Sequence, residues 1–153
     1  MARLEDLPPA TAQRLRDLEC PDYDSSPFVT GAPLSSRRVA IVSSAAIHRR
    51  GDPPMMAGTN EFREIPASRP VGELVMTHVS VNYDRTGFQR DVNVAYPIDR
   101  LREFAADGTI GSVADTHYAV MGANDPKAWG ELADQLVGKL RADRVDAVLL
   151  SPV

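Results

Sequence analysis

Consecutive apolar residues form several short runs along the chain, and small or polar residues bound each run. The runs at 37–42, 74–81 and 145–150 predict buried strands, because a parallel sheet covered on both faces contains near-continuous apolar segments. The run at 113–121 alternates imperfectly and predicts a further strand that ends at Gly122.

Apolar residues spaced by three and four positions predict two helices between these strands. The first runs over 97–105 and is closed by Gly108, the residue type favoured after a helix C-terminus. The second has Asp125 as its cap and Pro126 in the first helical position, and its apolar stripe ends at Leu140. Strands alternating with helices predict an α/β domain with a mostly parallel sheet flanked by helices, a Rossmann- or flavodoxin-like sandwich.

The remaining segments are rich in proline, glycine and small polar residues. Residues 4–19 predict a short surface helix that Asp6 could cap, and residues 20–36 predict a loop. Residues 47–70 also lack a regular apolar pattern and predict a long loop, of the kind that often serves as a lid or a binding segment.

Composition and charge narrow the class of protein. The 153 residues are 43% hydrophobic and 25% charged, which suits one folded domain over 1–153, with an N-terminal helix and loop at 1–36 and a core at 37–153. A formal net charge of −4 argues against a nucleic-acid partner. The single cysteine, Cys20, forms no internal disulfide, and no apolar run reaches the ~20 residues of a membrane span, so we expect a cytoplasmic location.

Residues 151–153 follow the last predicted strand directly, at the edge where a doubly wound sheet binds its ligands. A buried strand needs cover on both faces, and no helix follows this one. Two interpretations fit this pattern: an edge strand at a natural C-terminus, and a domain that lacks a C-terminal tail.

Three stretches of the chain, taken in their order along the sequence, carry its most distinctive motifs. They are RVAIVSSAA at 38–46 with RGDP at 50–53, HVSVNYD at 78–84 with DVNVAYPIDRLRE at 91–103 and GTIG at 108–111, and RVDAVLLS at 144–151. Over roughly residues 37–153, this sequence resembles the selenoprotein B family of the glycine, sarcosine, betaine and D-proline reductases. The middle stretch is the most specific of the three.

The resemblance implies an oxidoreductase that reductively cleaves a carbon–nitrogen bond in a small amine or amino acid. In that family the strand similar to 146–151 leads into a turn with selenocysteine or cysteine, which implies a nucleophile immediately after Val153 and a helix-and-strand tail. Selenocysteine is encoded by a stop codon, so ordinary translation would release a chain that ends here. We expect this chain alone to be inactive, the full-length protein to carry selenocysteine and no other cofactor, and a thioredoxin-like protein to donate electrons.

The candidate site residues lie in the same stretches. The resemblance places His78 and Asp84 in a polar loop at the site, where the carboxylate could orient the imidazole for proton transfer. Ser43 and Ser44 are expected to bind a substrate carboxylate at the end of the first strand. The further expected substrate-binding residues are Asn82, Tyr83, Asn93 and Ser151. The structural alternatives are a histidine satisfied within the fold, a simple strand-to-loop turn and ordinary loop hydrogen bonds.

Other residues leave further alternatives open. Arg85 and Arg90 could bind an anion or simply face solvent, and Cys20 could serve as a resolving thiol. The three histidines, His48, His78 and His117, would allow a zinc hydrolase, but their separations match no local ligand motif and we expect no metal.

A third class is a carboxylate-binding module without catalysis, built from Ser43, Ser44 and the 47–70 segment. Apolar surface left exposed by a missing tail would favour self-association, so we expect a homodimer.

Overall fold

The computed structural model describes residues 3–19, 24, 26, 28–80 and 85–153. The chain forms two compact units, Met1–Gly31 and Ala32–Val153, which are considered separately. Within the described ranges, no helix combines the length and the apolar character that a membrane span requires.

The N-terminal unit contains a 3-10 turn, Leu4–Asp6, and helix α1, Pro9–Arg16. The predicted capping role of Asp6 is wrong. Its carboxylate accepts a hydrogen bond from the backbone N–H of Arg3 (3.2 Å), and the N-cap position of α1 is held by Pro8, whose side chain has no hydrogen bond to offer. Helix α1 instead starts with a proline in its first turn, where the missing N–H costs nothing.

The second unit contains the sheet and the remaining helices. Its strands in the described residues are β1 (Arg38–Ser43), β2 (Ile47–Arg49), β3 (Phe62–Pro66), β4 (Leu74–Met76), β5 (Ser112–Val113), β6 (Thr116–Val120) and β7 (Ala147–Ser151). The helices are α2 (Arg85–Arg90), α3 (Ile98–Ala106) and α4 (Gly130–Ala142), and single 3-10 turns lie at Leu34–Ser36, Val71–Glu73, Val92–Val94 and Pro126–Trp129.

Strand β1 occupies the centre of the main sheet. Strand β7 pairs with it in parallel along one edge, while β5 and β6 pair in parallel with the beginning and the end of its other edge. Strand β3 lies outside β6 and antiparallel to it, and β2 and β4 form a separate antiparallel pair. The predicted α/β architecture with a mostly parallel sheet is confirmed. The narrower Rossmann- or flavodoxin-like sandwich is not, because β3 makes the sheet mixed.

Side chains alternate between two hydrophobic layers along β1. Val39 and Ile41 belong to the larger core cluster, which includes Ile98 of α3. Ala40 lies on the opposite face and packs in a second cluster with Leu140 of α4. The two predicted helices therefore cover opposite faces of the sheet. The predicted end of the first helix is confirmed, since Gly108 has φ +80° beyond α3. The predicted start of the second needs correction: the Asp125 carboxylate accepts the Lys127 N–H (3.0 Å) and caps the 3-10 turn Pro126–Trp129, and α4 begins only at Gly130.

Three predictions about the strands need correction. Strand β7 exists but is not buried: Val148, Leu149 and Leu150 are 41%, 38% and 70% exposed, because in the described residues β7 pairs only with β1. The predicted 47–70 loop contains β2 and β3. The strand predicted over 74–81 ends at Met76, because the next residue turns its N–H toward the carbonyl of Ala46 (3.2 Å).

A cluster of ionic hydrogen bonds ties together the amino ends of β1 and β6. The guanidinium of Arg38 contacts the carboxylates of Asp143 (2.6 Å) and Asp115 (2.9 Å) and donates to the carbonyl of Val113 (2.8 Å). Asp143 also accepts the N–H groups of Asp115 (2.8 Å) and Thr116 (3.2 Å). Burial alone would raise the pKa of Asp143, but these hydrogen bonds and the Arg38 charge lower it.

Candidate functional site

The carboxyl ends of β1, β6 and β7 meet at one edge of the sheet, the position where open α/β sheets bind ligands. Ser43 of β1 lies opposite Ser151 of β7 in the parallel register. Both hydroxyls donate to the carbonyl of Ala95, at 2.8 Å and 3.0 Å respectively. The structure therefore brings these two predicted site residues together and shows each hydroxyl proton committed to one backbone acceptor.

Ser44 connects all three strand ends through its backbone and its side chain. Its N–H donates to the carbonyl of Ser151 (3.0 Å), and its carbonyl accepts the N–H of Gly122 (2.9 Å). Its hydroxyl oxygen accepts the N–H of Val153 (2.8 Å). The chain that leaves β7 is thus held by a residue predicted to bind substrate.

Gly122 follows β6 and approaches Ser44 more closely than any side chain would permit. A Cβ atom built on Gly122 would lie 2.8 Å from both the Cβ and the carbonyl oxygen of Ser44. From the sequence, Gly122 was expected only to end a strand. Its small size in fact determines how tightly the ends of β1 and β6 approach each other.

A sharp turn at Ala46 follows the serines. Ala46 has φ +53°, a left-handed conformation that costs an L-residue roughly 1–2 kcal/mol. Two backbone hydrogen bonds hold it: its N–H donates to Val120 O (2.9 Å) and its carbonyl accepts the Thr77 N–H (3.2 Å). The second bond brings the residue before His78 to the segment that leaves β1.

His78 is buried, at 4% exposure, just beyond the end of β4. Its Nδ1 accepts the N–H of Ser80 (3.2 Å), and the Arg85 guanidinium donates to the carbonyl oxygens of both His78 and Ser80. Burial, and secondarily the charge of Arg85, lowers the pKa of His78, so the imidazole is neutral near pH 7. Arg85 is therefore a hydrogen-bond donor to the backbone, a role not considered from the sequence, and its predicted anion binding stays a prediction.

Four residues considered from the sequence cannot be placed beside these groups. Asn82, Tyr83 and Asp84 lie outside the described residues, and so does Cys20. The predicted contact between Asp84 and His78 accordingly stays a prediction.

Asn93 caps α3 through its side-chain amide. Its Oδ1 accepts the Asp99 N–H (3.0 Å), and its Nδ2 donates to the carboxylates of Asp91 (2.8 Å) and Asp99 (3.0 Å). Hydrogen bonds from Asn93 are the leading cause of the lowered pKa at both aspartates. These contacts occupy most of the hydrogen-bonding capacity of the amide, which favours a structural role.

A cleft of about 630 Å³ lies apart from the strand ends, between the β2–β4 pair and the segment from α2 to α3. Of the predicted site residues within the described ranges, Asn93 alone lines it. Arg50, Arg85 and Arg90 also line it, together with apolar side chains. Sequence reasoning considered Arg90 as an anion ligand and 47–70 as a binding segment, but it could not bring Arg50 and Arg90 together, because they lie 40 positions apart.

His117 is fully buried and does the work of a backbone acceptor. Its Nδ1 accepts the N–H of Ile41 (3.0 Å), at the point along β1 between the β5 and β6 pairings, and its ring stands edge-on to Tyr96. Burial lowers the pKa of His117 to about 4. His48 lies in β2 with Nδ1 at 2.8 Å from Arg49 O. No three His, Cys, Asp or Glu side chains converge in the described ranges, so the zinc alternative gains no geometric support.

Comparison with known proteins identifies the family to which this chain belongs. The family model for glycine/sarcosine/betaine reductase selenoprotein B matches residues 16–153. The chain belongs to this selenoprotein B family. The resemblance found in the sequence is therefore confirmed.

Three curated relatives illustrate the range of the selenoprotein B family. The D-proline reductase subunit gamma of Acetoanaerobium sticklandii is 32% identical over 121 residues, covering 77% of this chain and 49% of the relative. The glycine reductase complex component B subunit gamma of Carboxydothermus hydrogenoformans is 27% identical, and the betaine reductase complex component B subunit beta of Peptoclostridium acidaminophilum is 24% identical. This chain covers 28% of the length of each of those two. No solved structure gives a significant match.

In this selenoprotein B family member, only some of the groups around the carboxyl ends of β1, β6 and β7 could be predicted from the sequence. The serines were predicted, whereas the Ala95 carbonyl, Gly122 and Thr77 were not. Together they form a rigid cluster of backbone and hydroxyl groups beside a segment that carries a neutral, buried histidine.

Proposed function

We propose that this chain is the scaffold of a selenol- or thiol-dependent reductase component, with its nucleophile carried by the residue that follows Val153. The observation that supports this most directly is the attachment of Val153: its N–H donates to the Ser44 hydroxyl (2.8 Å), and the Ser151 carbonyl accepts the Ser44 N–H (3.0 Å). A residue next in sequence to Val153 would begin within one peptide unit of this strand-end cluster.

The chemistry proposed for this position is reductive cleavage of a carbon–nitrogen bond. The selenolate or thiolate attacks the carbon that bears the nitrogen, a carbon–selenium or carbon–sulfur bond forms, and the amine leaves with the electron pair of the broken bond and takes up a proton. One thiol of a thioredoxin-type dithiol protein then attacks the selenium or sulfur, and the carbon fragment leaves with the electron pair of its bond and takes up a proton to form a C–H bond. The second thiol displaces the nucleophile from the resulting mixed selenosulfide or disulfide, so the donor ends as a disulfide and the selenolate or thiolate is regenerated. The printed names of the relatives, which are reductase subunits and complex components, support a role inside a larger assembly.

His78 is proposed to hold the leaving amine by a hydrogen bond from its Nε2–H, while the amine takes up its proton from solvent. A neutral imidazole whose Nδ1 accepts a hydrogen bond from Ser80 carries its own proton on Nε2, and the lowered pKa keeps it in that form near pH 7. The sequence-based assignments of Asp84 as the partner of His78, and of Asn82 and Tyr83 as substrate contacts, belong to the same proposal. Ser44, whose hydroxyl accepts the Val153 N–H and keeps its own proton for donation, is proposed to bind the substrate carboxylate. Ser43 and Ser151, whose hydroxyl protons are bonded to the Ala95 carbonyl, are proposed to shape the site around that carboxylate, with Asn93 fixing the start of α3.

The test uses the gene product translated through the codon after Val153, as cysteine or selenocysteine. With cysteine at that position, we expect alkylation by iodoacetamide to show a thiol pKa below the ~8.5 of a free thiol, and the Ser44→Ala variant to raise that pKa. Amine release from glycine, sarcosine and betaine, and ring opening of D-proline to an amino acid that keeps its nitrogen, should require that residue in the presence of a dithiol. A serine in its place is the matched control. An encoded residue of any other type, or equal amine release by the serine variant, would contradict the proposal.

A second candidate is a binding module without catalysis, favoured by the cleft of about 630 Å³, which none of the three serines lines. The two candidates make different predictions for the 153-residue chain. A binding module stabilises with ligand at this length, whereas the reductase needs the residue beyond Val153 for its chemistry.

A further inference from the structure

The floor of the cleft is apolar and continuous with the main core. Leu74 and Met76 of β4 contribute from one side, and Phe88 of α2 and Val92 contribute from the other. Leu74 is a buried member of the larger core cluster, and the other three pack against it. These side chains are held by the fold, so the cleft presents a preformed apolar surface.

The charged groups along the cleft are not equally satisfied. Arg85 donates to two backbone carbonyls, and Asp99 accepts hydrogen bonds from Asn93 (3.0 Å) and from Arg102 (2.8 Å), which also pairs with it as a cation. Asp91 is bonded to the backbone N–H (2.9 Å) and amide of Asn93.

Two arginines differ from this group. Within the described ranges, the guanidinium groups of Arg50 and Arg90 make no hydrogen bond or ion pair, although both residues line the cleft. Each offers up to five N–H donors in a planar fork that matches a carboxylate or a phosphate. The cleft therefore combines an apolar floor with cationic donors that no group in the described part of the chain occupies.

The size of the cleft restricts its ligand. Pockets of roughly 300–1,000 Å³ enclose ligands of drug-like size, and about 630 Å³ lies in the middle of that range. An amino acid with a handful of non-hydrogen atoms would fill only a small part of it and would leave the apolar floor in contact with water.

We propose that this cleft binds an amphipathic organic anion, with its carboxylate or phosphate head on Arg50 and Arg90 and its apolar body on Met76 and Phe88. The proposal does not depend on the reductase chemistry, because Ser43, Ser44, Ser151 and His78 are not among the lining residues. It assigns the cleft a ligand larger than the amino acid cleaved at the strand ends.

The test compares matched probes on the whole 153-residue chain by calorimetry and thermal shift. The probes are 4-phenylbutyrate, its uncharged amide, a phenylalkyl phosphate, glycine and betaine. We expect 4-phenylbutyrate to bind and to raise the Tm with concentration, and the amide to bind at least about tenfold more weakly. If the phosphate binds more tightly than the carboxylate, the head group is a phosphate and the proposal stands.

Variants locate the site. Arg50→Gln and Arg90→Gln should each raise the Kd for 4-phenylbutyrate at least about tenfold, and Phe88→Ala should weaken both the acid and the amide. Arg141→Gln, at the end of α4 and outside the cleft, makes the same charge change and should leave the Kd unaltered. Equal binding of acid and amide, unaltered binding by both arginine variants, binding of glycine or betaine but not the larger acid, or no binding at millimolar concentration would each overturn the proposal. The acid–amide comparison on the unaltered chain decides the question even if a variant fails to fold.

Discussion

Replacing Gly122 by alanine tests whether the strand ends are as closely packed as the structure indicates. The added Cβ would lie 2.8 Å from the Cβ and the carbonyl oxygen of Ser44 and 2.9 Å from its Oγ. Since ordinary contacts begin near 3.4 Å, one of the two strand ends must move by about 0.6 Å. Overpacking of this kind typically costs about 1–3 kcal/mol, and weakening the Gly122–Ser44 hydrogen bond adds about 1 kcal/mol.

We therefore expect Gly122→Ala to lower the free energy of unfolding by about 2–4 kcal/mol in a urea titration. Hydrogen exchange at the Val153 amide should accelerate, because the Ser44 hydroxyl that accepts it moves with the backbone. Gly138→Ala in α4 is the matched control: no atom lies within 4 Å of its added Cβ, and the helix should gain about 0.5–1 kcal/mol. If Gly122→Ala costs less than about 0.5 kcal/mol and leaves Val153 exchange unchanged, the close packing is refuted.

Three further predictions address the sheet. His117→Ala removes the acceptor of the buried Ile41 N–H and should lower the free energy of unfolding by about 2–4 kcal/mol in a urea titration. Because the pKa of His117 falls from 6.5 to about 4 on folding, its contribution of about 3 kcal/mol is complete above pH 6.5 and is lost as the pH falls through about 4. The free energy of unfolding of the variant should therefore change less with pH over that interval than that of the unaltered chain. Arg38→Lys keeps the charge but loses the planar guanidinium donors, and should lower the free energy of unfolding by about 1–3 kcal/mol at pH 7. The loss should be smaller below pH 3.8, where Asp143 of the unfolded chain is protonated. An equal loss of unfolding free energy at both pH values would contradict this. We propose a homodimer through the exposed β7 edge, so Leu150→Lys should reduce the mass measured by light scattering, and an unchanged mass would count against that interface.

Local sequence patterns were sufficient to predict the elements whose contacting residues lie nearby along the chain. Gly108 ends α3 as predicted, and Asp125 caps the 3-10 turn that precedes α4 rather than α4 itself. Strand β3 was missed because Pro66 argued against a strand. The proline stands at the last position of β3, which pairs only with β6 in the described residues, and there its missing N–H is tolerated.

Burial of a strand depends on neighbours that a local pattern does not contain. The run at 145–150 reads as a central strand by composition, yet Leu150 is 70% exposed. For the site, the rule that parallel strands share a carboxyl edge was enough to bring Ser43 and Ser151 together. The acceptor they share, the carbonyl of Ala95, lies 52 and 56 positions away from them along the chain, and backbone groups carry no sequence signature.

The imidazole of His117 supplies the acceptor for the Ile41 N–H at the point where β5 has ended and β6 begins to pair with β1. The Ala114 N–H still donates to the Val39 carbonyl (2.9 Å), whereas Asp115 bends away, with its carboxylate on Arg38 and its N–H on Asp143. Any amino acid can supply a backbone carbonyl as an acceptor, whereas the acceptor for the Ile41 N–H is a side chain that only histidine provides here. A single substitution at His117 can therefore remove this contact between β1 and β6. It would also disturb the bend at Asp115, on which the ionic hydrogen bonds of Arg38 at the amino ends of the strands depend.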